Sequence, residues 1–216
     1  MVEPKSAFAA EPRSSCGPLA PLLAQGLASM RHVGRDLQLG RDTFLAVVPS
    51  AEDVPADFRL PTKYFCAMVV WDSATASVDS VSRLVESLLR SGCVYVSCWG
   101  SGCDRVHDIA DEVIVGFQVG LMETRSTDAQ DLSATGTQER VIMTTGHGEE
   151  TLDEALHFFL THTQPGTEYD SQCGSAVALA IGQPAPVVER IRAALLDPRA
   201  FRAEVDGMND DGPGTA

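Results

Sequence analysis

The chain has 216 residues, of which 44% are hydrophobic, and its formal net charge at pH 7 is -14. This length and hydrophobic content predict a globular protein with one well-filled core. The acidic charge makes nucleic acid and membrane surfaces poor candidate partners, because both are negatively charged.

The first residues of the sequence do not show the basic-then-apolar order typical of a secretory signal, and no apolar run reaches the about 18 residues of a membrane span. Six cysteines are scattered through apolar stretches, as is typical of buried thiols in a reducing compartment. Together these features predict a cytoplasmic protein. Lysine occurs only at Lys5 and Lys63, which excludes a Walker A phosphate loop.

Composition divides the chain into segments. Residues 1–40 are rich in Pro, Ala, Ser and Gly and predict a flexible N-terminal extension. Residues 41–205 carry regular apolar patterns and predict a single domain. Within it, residues 121–138 have little pattern and predict a long loop, and residues 206–216 predict a disordered acidic tail.

Short apolar runs bounded by proline, glycine or polar residues predict buried strands. They are Phe44–Val48, Tyr64–Trp71, Cys93–Cys98, Glu112–Val115, Val141–Thr144 and Ala176–Ile181.

Apolar residues at helical spacing predict three helices between these strands. The first begins after Ser77 and ends at Gly92, the second runs from a capping box at Thr151 to about Thr163, and the third follows Pro186. Alternating strands and helices predict an α/β fold with parallel pairing. We expect a three-layer Rossmann-like or flavodoxin-like sandwich with a mostly parallel sheet of about five to six strands.

The segment from Ser97 to Asp108 contains the main candidate site, a glycine-rich turn between a buried strand and an amphipathic stretch. Such a turn lies at the carboxyl edge of a parallel sheet, where open α/β folds bind ligands. Its glycines let backbone N–H groups approach an anion, and the following helix start favours negative charge. The sequence predicts a small anionic ligand, phosphate-like or nucleotide-like. Its expected binding residues are Trp99, Gly100, Ser101, Gly102 and Asp104, with Thr144 and Thr145 across the crevice.

Other interpretations of the same turn stay open. The first is a plain structural turn whose acidic residue caps the helix. The second is a cysteine-dependent enzyme, in which Cys98 or Cys103 is the nucleophile, His147 or His107 is its base, and Asp72 or Glu149 orients the histidine. A third is a non-catalytic module whose acidic surface binds a basic protein partner.

A metal site is a further alternative. The spacing Cys98-x4-Cys103-x3-His107, completed by His147, is compatible with zinc. Zinc is not favoured, because the paired Cys-x2-Cys pattern of structural zinc sites is missing. His107 fits equally well as a surface residue paired with Asp111 four positions later.

The segment from Tyr64 to about Pro165 resembles an uncharacterised bacterial family described only as a domain of unknown function. The residues that carry the resemblance are Cys98-Trp99-Gly100 at a strand end, Met143-Thr144-Thr145-Gly146-His147, and Glu154-Ala155-Leu156-His157-Phe158-Phe159-Leu160. The resemblance implies a compact α/β domain. It implies no reaction, ligand or partner.

Overall fold

A computed structural model describes residues 29–126 and 141–210 of the chain, and these form six strands and five α-helices. The strands are β1 (Met30–Asp36), β2 (Arg41–Val48), β3 (Tyr64–Trp71), β4 (Cys93–Trp99), β5 (Met143–Gly146) and β6 (Cys173–Ile181). The helices are α1 (Val78–Ser91), α2 (Cys103–Ser126), α3 (Leu152–Thr161), α4 (Ala185–Leu196) and α5 (Pro198–Asp210).

The strands form one sheet in the order β1-β2-β6-β3-β4-β5. β1 is antiparallel to β2, and the other neighbouring strands of the sheet are parallel. The last strand, β6, lies inside the sheet between β2 and β3. The mostly parallel sheet confirms the predicted α/β class and strand number, and its order is neither that of dinucleotide-binding domains nor that of flavodoxin.

Helices cover both faces of the sheet. On one face, α1 and α2 pack through residues that include Leu84 and Val106. On the other face, α3, α4 and α5 pack through residues that include Phe159, Ile191 and Phe201. All five side chains are at most 3% exposed, and burial of each such side chain contributes about 1.5–3 kcal/mol. Burial on both faces explains why β3, β4 and β6 are nearly continuous apolar runs.

The predicted helix ends are confirmed where the sequence carries capping residues. The Ser77 hydroxyl accepts a hydrogen bond from the Ser80 N–H at 3.0 Å, and Gly92 ends α1 with a φ of 101°. Thr151 and Glu154 form a reciprocal capping box at the start of α3. These side chains satisfy N–H groups that have no partner within the helix.

The predicted strand Glu112–Val115 is wrong, because these residues belong to α2. Val106, Ile109, Ala110 and Ile114 recur at helical spacing and pack into the core. A short apolar run such as Val113–Val115 fits a strand or a buried helix segment equally well when read alone. No breaking residue stands between Cys103 and this run, so the helix continues through it.

Regular structure extends into three segments that the sequence predicted to lack it. β1 lies inside residues 1–40, the end of α5 lies inside residues 206–216, and α2 continues to Ser126, inside the predicted loop 121–138. The remaining parts of these predictions lie outside the described residues, at 1–28, 127–138 and 211–216. Within the described ranges, no helix has the length and apolar character needed to cross a membrane.

Candidate functional site

Residues from three predicted strand ends meet at one edge of the sheet. β3, β4 and β5 are parallel neighbours, so Asp72, Trp99 and His147 lie at the same edge. β5 ends at Gly146, two residues beyond its predicted end. The His147 N–H donates to the Cys98 carbonyl at 2.9 Å and ties the end of β5 to the end of β4.

The glycine-rich turn after β4 packs against the loop that follows β3. The Ser101 N–H donates to Asp72 Oδ1 at 3.1 Å, and the Ser73 N–H donates to the Ser101 carbonyl at 2.8 Å. Ser73 Oγ donates to the Gly102 carbonyl at 3.1 Å. Asp72 therefore holds the turn, and the Ser101 N–H is already bonded within the protein rather than facing a ligand.

Gly100 and Gly102 let these two loops approach each other. Their φ angles are 116° and 81°, which favour glycine over residues with a Cβ. A Cβ at Gly100 would lie 2.6 Å from the Trp71 carbonyl oxygen, and one at Gly102 would lie 2.8 Å from Ala74 Cα. This geometry supports the interpretation of both glycines as parts of a structural turn.

Cys98 and Cys103 are buried, and each residue is 1% exposed. Burial raises the pKa of both thiols, because it penalises the charged thiolate. Cys103 Sγ also donates to Asp104 Oδ1 at 3.6 Å. The neutral thiol is favoured at both positions, which weakens the case for either cysteine as a nucleophile.

The alternative zinc set does not come together. In the described parts of the chain, no three His, Cys, Asp or Glu side chains form a group that could hold a metal ion. The alternative set comprises Cys98, Cys103, His107 and His147. His107 lies instead beside Asp111, with 3.9 Å between Nδ1 and Oδ2. This is the surface pair that the helical spacing indicates.

His147 is the centre of a hydrogen-bonded array at the end of β5. Its side chain is 3% exposed, Nδ1 lies 2.9 Å from Glu150 Oε2, and Nε2 lies 3.1 Å from Thr145 Oγ1. The Phe158 ring packs against the imidazole at 4.5 Å between centroids. Burial raises the pKa of Tyr95, and its hydrogen bond with Thr145 opposes that rise. Hydroxyl, imidazole and carboxylate in this order form an arrangement that can activate a hydroxyl nucleophile.

Thr144 points to the opposite face of β5. Its hydroxyl lies 3.2 Å from His107 Nε2 and donates to Asp111 Oδ1 at 2.5 Å. Consecutive strand residues face opposite sides of a sheet, so the hydroxyls of Thr144 and Thr145, which were predicted to bind one ligand together, lie on different faces of β5.

Glu150 is a site residue that the sequence reasoning missed. Its carbonyl accepts the Trp99 indole N–H at 2.9 Å, while its carboxylate contacts His147. Trp99 therefore closes this edge of the fold and packs with the core on the α3 side. The three-residue spacing from His147 to Glu150 was the signal available in the sequence.

An open cavity of about 350 Å³ lies at the same edge of the sheet, beside Asp72. We call it the strand-end cleft. Its polar lining residues are Ser50, Glu52, Asp72, Thr75, Ser77 and Ser80. Ser80 Oγ donates to Glu52 Oε1 at 2.6 Å, and this hydrogen bond lowers the pKa of Glu52. The cleft therefore presents carboxylates and hydroxyls.

The strand-end cleft lies where chain connections leave the sheet in opposite directions. β2 and β3 continue into segments on the α1 side, and β6, which lies between them, continues into α4 on the other side. Such a switch point leaves a crevice outside the carboxyl ends of the strands. The sequence could not locate it, because the place of β6 in the sheet depends on long-range pairing.

The profile of a family described as a domain of unknown function (DUF7684) matches residues 44–198. No curated protein and no solved structure shows significant similarity to the chain.

Proposed function

Since the chain belongs to the domain-of-unknown-function family DUF7684, we propose from the geometry alone that the protein binds a small polar ligand in the strand-end cleft. The observation that carries this proposal is an open cavity of about 350 Å³ at the switch point of a mostly parallel sheet. Ligand pockets of α/β proteins concentrate at such points.

The lining favours a ligand that donates hydrogen bonds. Glu52 and Asp72 bring negative charge to the cleft, and Ser50, Thr75 and Ser77 bring hydroxyl groups. A phosphate would be repelled by both carboxylates, whereas an amine or a hydroxyl-rich compound would donate to them. The ligand proposed here is therefore amine-bearing or hydroxyl-rich, and it differs in charge from the anion that the turn at Gly100 suggested.

A binding screen tests this proposal. Thermal unfolding and titration calorimetry would use amines, amino sugars, polyols and sugar phosphates as probes. We expect an amine-bearing probe to bind, and the variant Glu52→Gln to weaken its binding about tenfold, because a charged acceptor is lost. The control Glu189→Gln, at an exposed position of α4, should leave binding unchanged. Binding of phosphates alone, or binding indifferent to Glu52→Gln, contradicts the proposal.

A second candidate function is catalysis by the Thr145 hydroxyl, with His147 as its base and Glu150 as the residue that orients the base. The two hydrogen bonds of the His147 ring support this candidate, at 3.1 Å to Thr145 and 2.9 Å to Glu150. The reaction class would be transfer of an acyl or phosphoryl group to the hydroxyl. In this candidate, His147 keeps its predicted role as the base, and the Thr145 hydroxyl replaces the buried cysteines as the nucleophile.

A fluorophosphonate probe with peptide mass mapping tests the second candidate. We expect an adduct on Thr145, and we expect His147→Gln to slow its formation at least about 100-fold, since general base assistance is lost. Thr144→Val is the matched control, because Thr144 lies on the opposite face of β5 and its loss should not change labelling of Thr145. An unlabelled Thr145 rejects this candidate.

We also propose that the fold is a variant of the Rossmann-like or flavodoxin-like class and that the protein is cytoplasmic. Helices on both faces of a mostly parallel sheet support a variant of the Rossmann-like or flavodoxin-like class. The five cysteines of the described residues are free and buried, which supports a reducing location such as the cytoplasm.

A further inference from the structure

A buried group at the opposite edge of the sheet carries a separate inference. Cys66 of β3 and Cys173, the first residue of β6, have their sulfur atoms 3.8 Å apart. Arg41, the first residue of β2, donates from Nη1 to the Thr163 carbonyl at 2.7 Å, and Cys66 Sγ approaches the same carbonyl at 3.6 Å. The two thiols and the guanidinium therefore share one buried cluster at the amino ends of these strands.

Arg41 lacks an ordinary counter-charge. The residue is 6% exposed, its Nε has no hydrogen-bond partner, and within the described residues it forms no ion pair with a carboxylate. A buried guanidinium without an anion is costly. Within this cluster, the groups that can supply negative charge to Arg41 are the two cysteine thiols, when one of them ionises.

The two thiols differ in their tendency to ionise. The hydrogen bond between the two sulfur atoms lowers the pKa of Cys173, and the positive charge of Arg41 lowers it further, against burial and Asp170. The same hydrogen bond and burial raise the pKa of Cys66. This asymmetry favours Cys173 over Cys66 as the thiol that ionises.

We propose that Cys173 is a modification site that reacts with hydroperoxides and that Cys66 then condenses with it. The Cys173 thiolate attacks one peroxide oxygen, the O–O bond breaks, hydroxide leaves, and a sulfenic acid forms on Cys173. The Cys66 sulfur, which loses its proton, then attacks the Cys173 sulfur, and the sulfenic oxygen leaves as water. Two thiols are oxidised to a disulfide, and one hydroperoxide is reduced.

The place of Cys173 in the chain suits this reaction. A disulfide needs an S–S distance of about 2.05 Å, so the sulfur atoms must approach each other. Cys173 follows the exposed turn Asp170–Gln172, and the pairing of β3 with β6 is irregular directly after it, at Tyr64 and Phe65. The chain can adjust at a strand end more easily than inside the sheet.

Peroxide titration of the full chain tests the proposal. The protein would be treated with hydrogen peroxide, alkylated, and mapped by mass spectrometry. Cys173 should lose its free thiol at least about tenfold faster than Cys93 and Cys98. These two are matched controls, because burial raises the pKa of Cys93 to about 12 and also raises that of Cys98. A Cys66–Cys173 disulfide should accumulate.

Variants separate the two steps. In Cys66→Ser, a sulfenic acid on Cys173 should become trappable with dimedone, and Cys173→Ser should protect Cys66 from oxidation. Arg41→Gln should slow oxidation of Cys173 about tenfold, and Arg41→Lys, which keeps the charge, should restore most of the rate.

Oxidation of Cys173 no faster than that of Cys93 overturns the proposal. An unchanged rate in folded Arg41→Gln overturns it as well. If Arg41→Gln does not fold, the rate ratio in the natural chain and the trapping in Cys66→Ser decide.

Discussion

The variant Arg202→Met is expected to lower the free energy of unfolding by about 3–5 kcal/mol, because it leaves the buried carboxylate of Asp36 without its counter-charge. Arg202 is 7% exposed and Asp36 is 2% exposed. Arg202 Nη2 donates to Asp36 Oδ2 and to the Leu160 carbonyl. Urea unfolding followed by circular dichroism measures the change.

A double-mutant cycle separates the ion pair from simple loss of packing. Asp36→Asn keeps the side-chain oxygen that accepts the Gln38 N–H at 2.9 Å and removes the charge. The double variant Arg202→Met with Asp36→Asn should therefore recover more than half of the stability lost in Arg202→Met alone. If the double variant loses as much stability as Arg202→Met alone, the uncompensated charge of Asp36 is not the cause of the loss, and this explanation is wrong.

This ion pair joins β1 to α5, and the sequence predicted neither of these elements. β1 is an edge strand whose central residues are exposed or half-buried, so it shows no apolar alternation. α5 begins at Pro198, which follows α4 and also suits the first position of a new helix. Both elements are stabilised by contacts distant in sequence, and a local pattern cannot reveal them.

The elements that were predicted well have local causes. β3 was predicted at its observed bounds, since both of its faces are buried and its sequence is an unbroken apolar run. The ends of α1 and the start of α3 follow from capping residues next to them in the chain. In these cases the residues that determine the element lie within it or within a few residues of its ends.

The candidate site also combines features that follow from local sequence with features that depend on long-range contacts. Parallel pairing was sufficient to bring Asp72, the Gly100 turn and His147 to one edge of the sheet. The sequence did not predict the hydrogen-bond partner of each side chain. Asp72 accepts the Ser101 N–H, and His147 contacts Glu150. The strand-end cleft and the Arg41 cluster depend on the position of β6, and this is a property of the whole sheet.

Gly100→Ala is expected to lower the free energy of unfolding by about 2–4 kcal/mol, the sum of backbone strain at positive φ and of overpacking. The new Cβ would lie 2.6 Å from the Trp71 carbonyl oxygen and 3.3 Å from Asp72 Oδ1, so the two loops would have to separate. Gly116→Ala, in α2 with nothing within 4 Å of the new Cβ, is the matched control. It should raise stability by about 0.5–1 kcal/mol through helix propensity.

The same pair of variants distinguishes a structural turn from a ligand-binding one. If the glycine serves loop packing, urea unfolding will show the loss in Gly100→Ala without any ligand, and separation of the loops will also displace Asp72 at the margin of the strand-end cleft. Binding of an amine-bearing probe should then weaken in Gly100→Ala and stay unchanged in Gly116→Ala. A Gly100→Ala protein of natural stability that has lost only binding would show instead that the turn itself contacts the ligand, as its sequence first suggested.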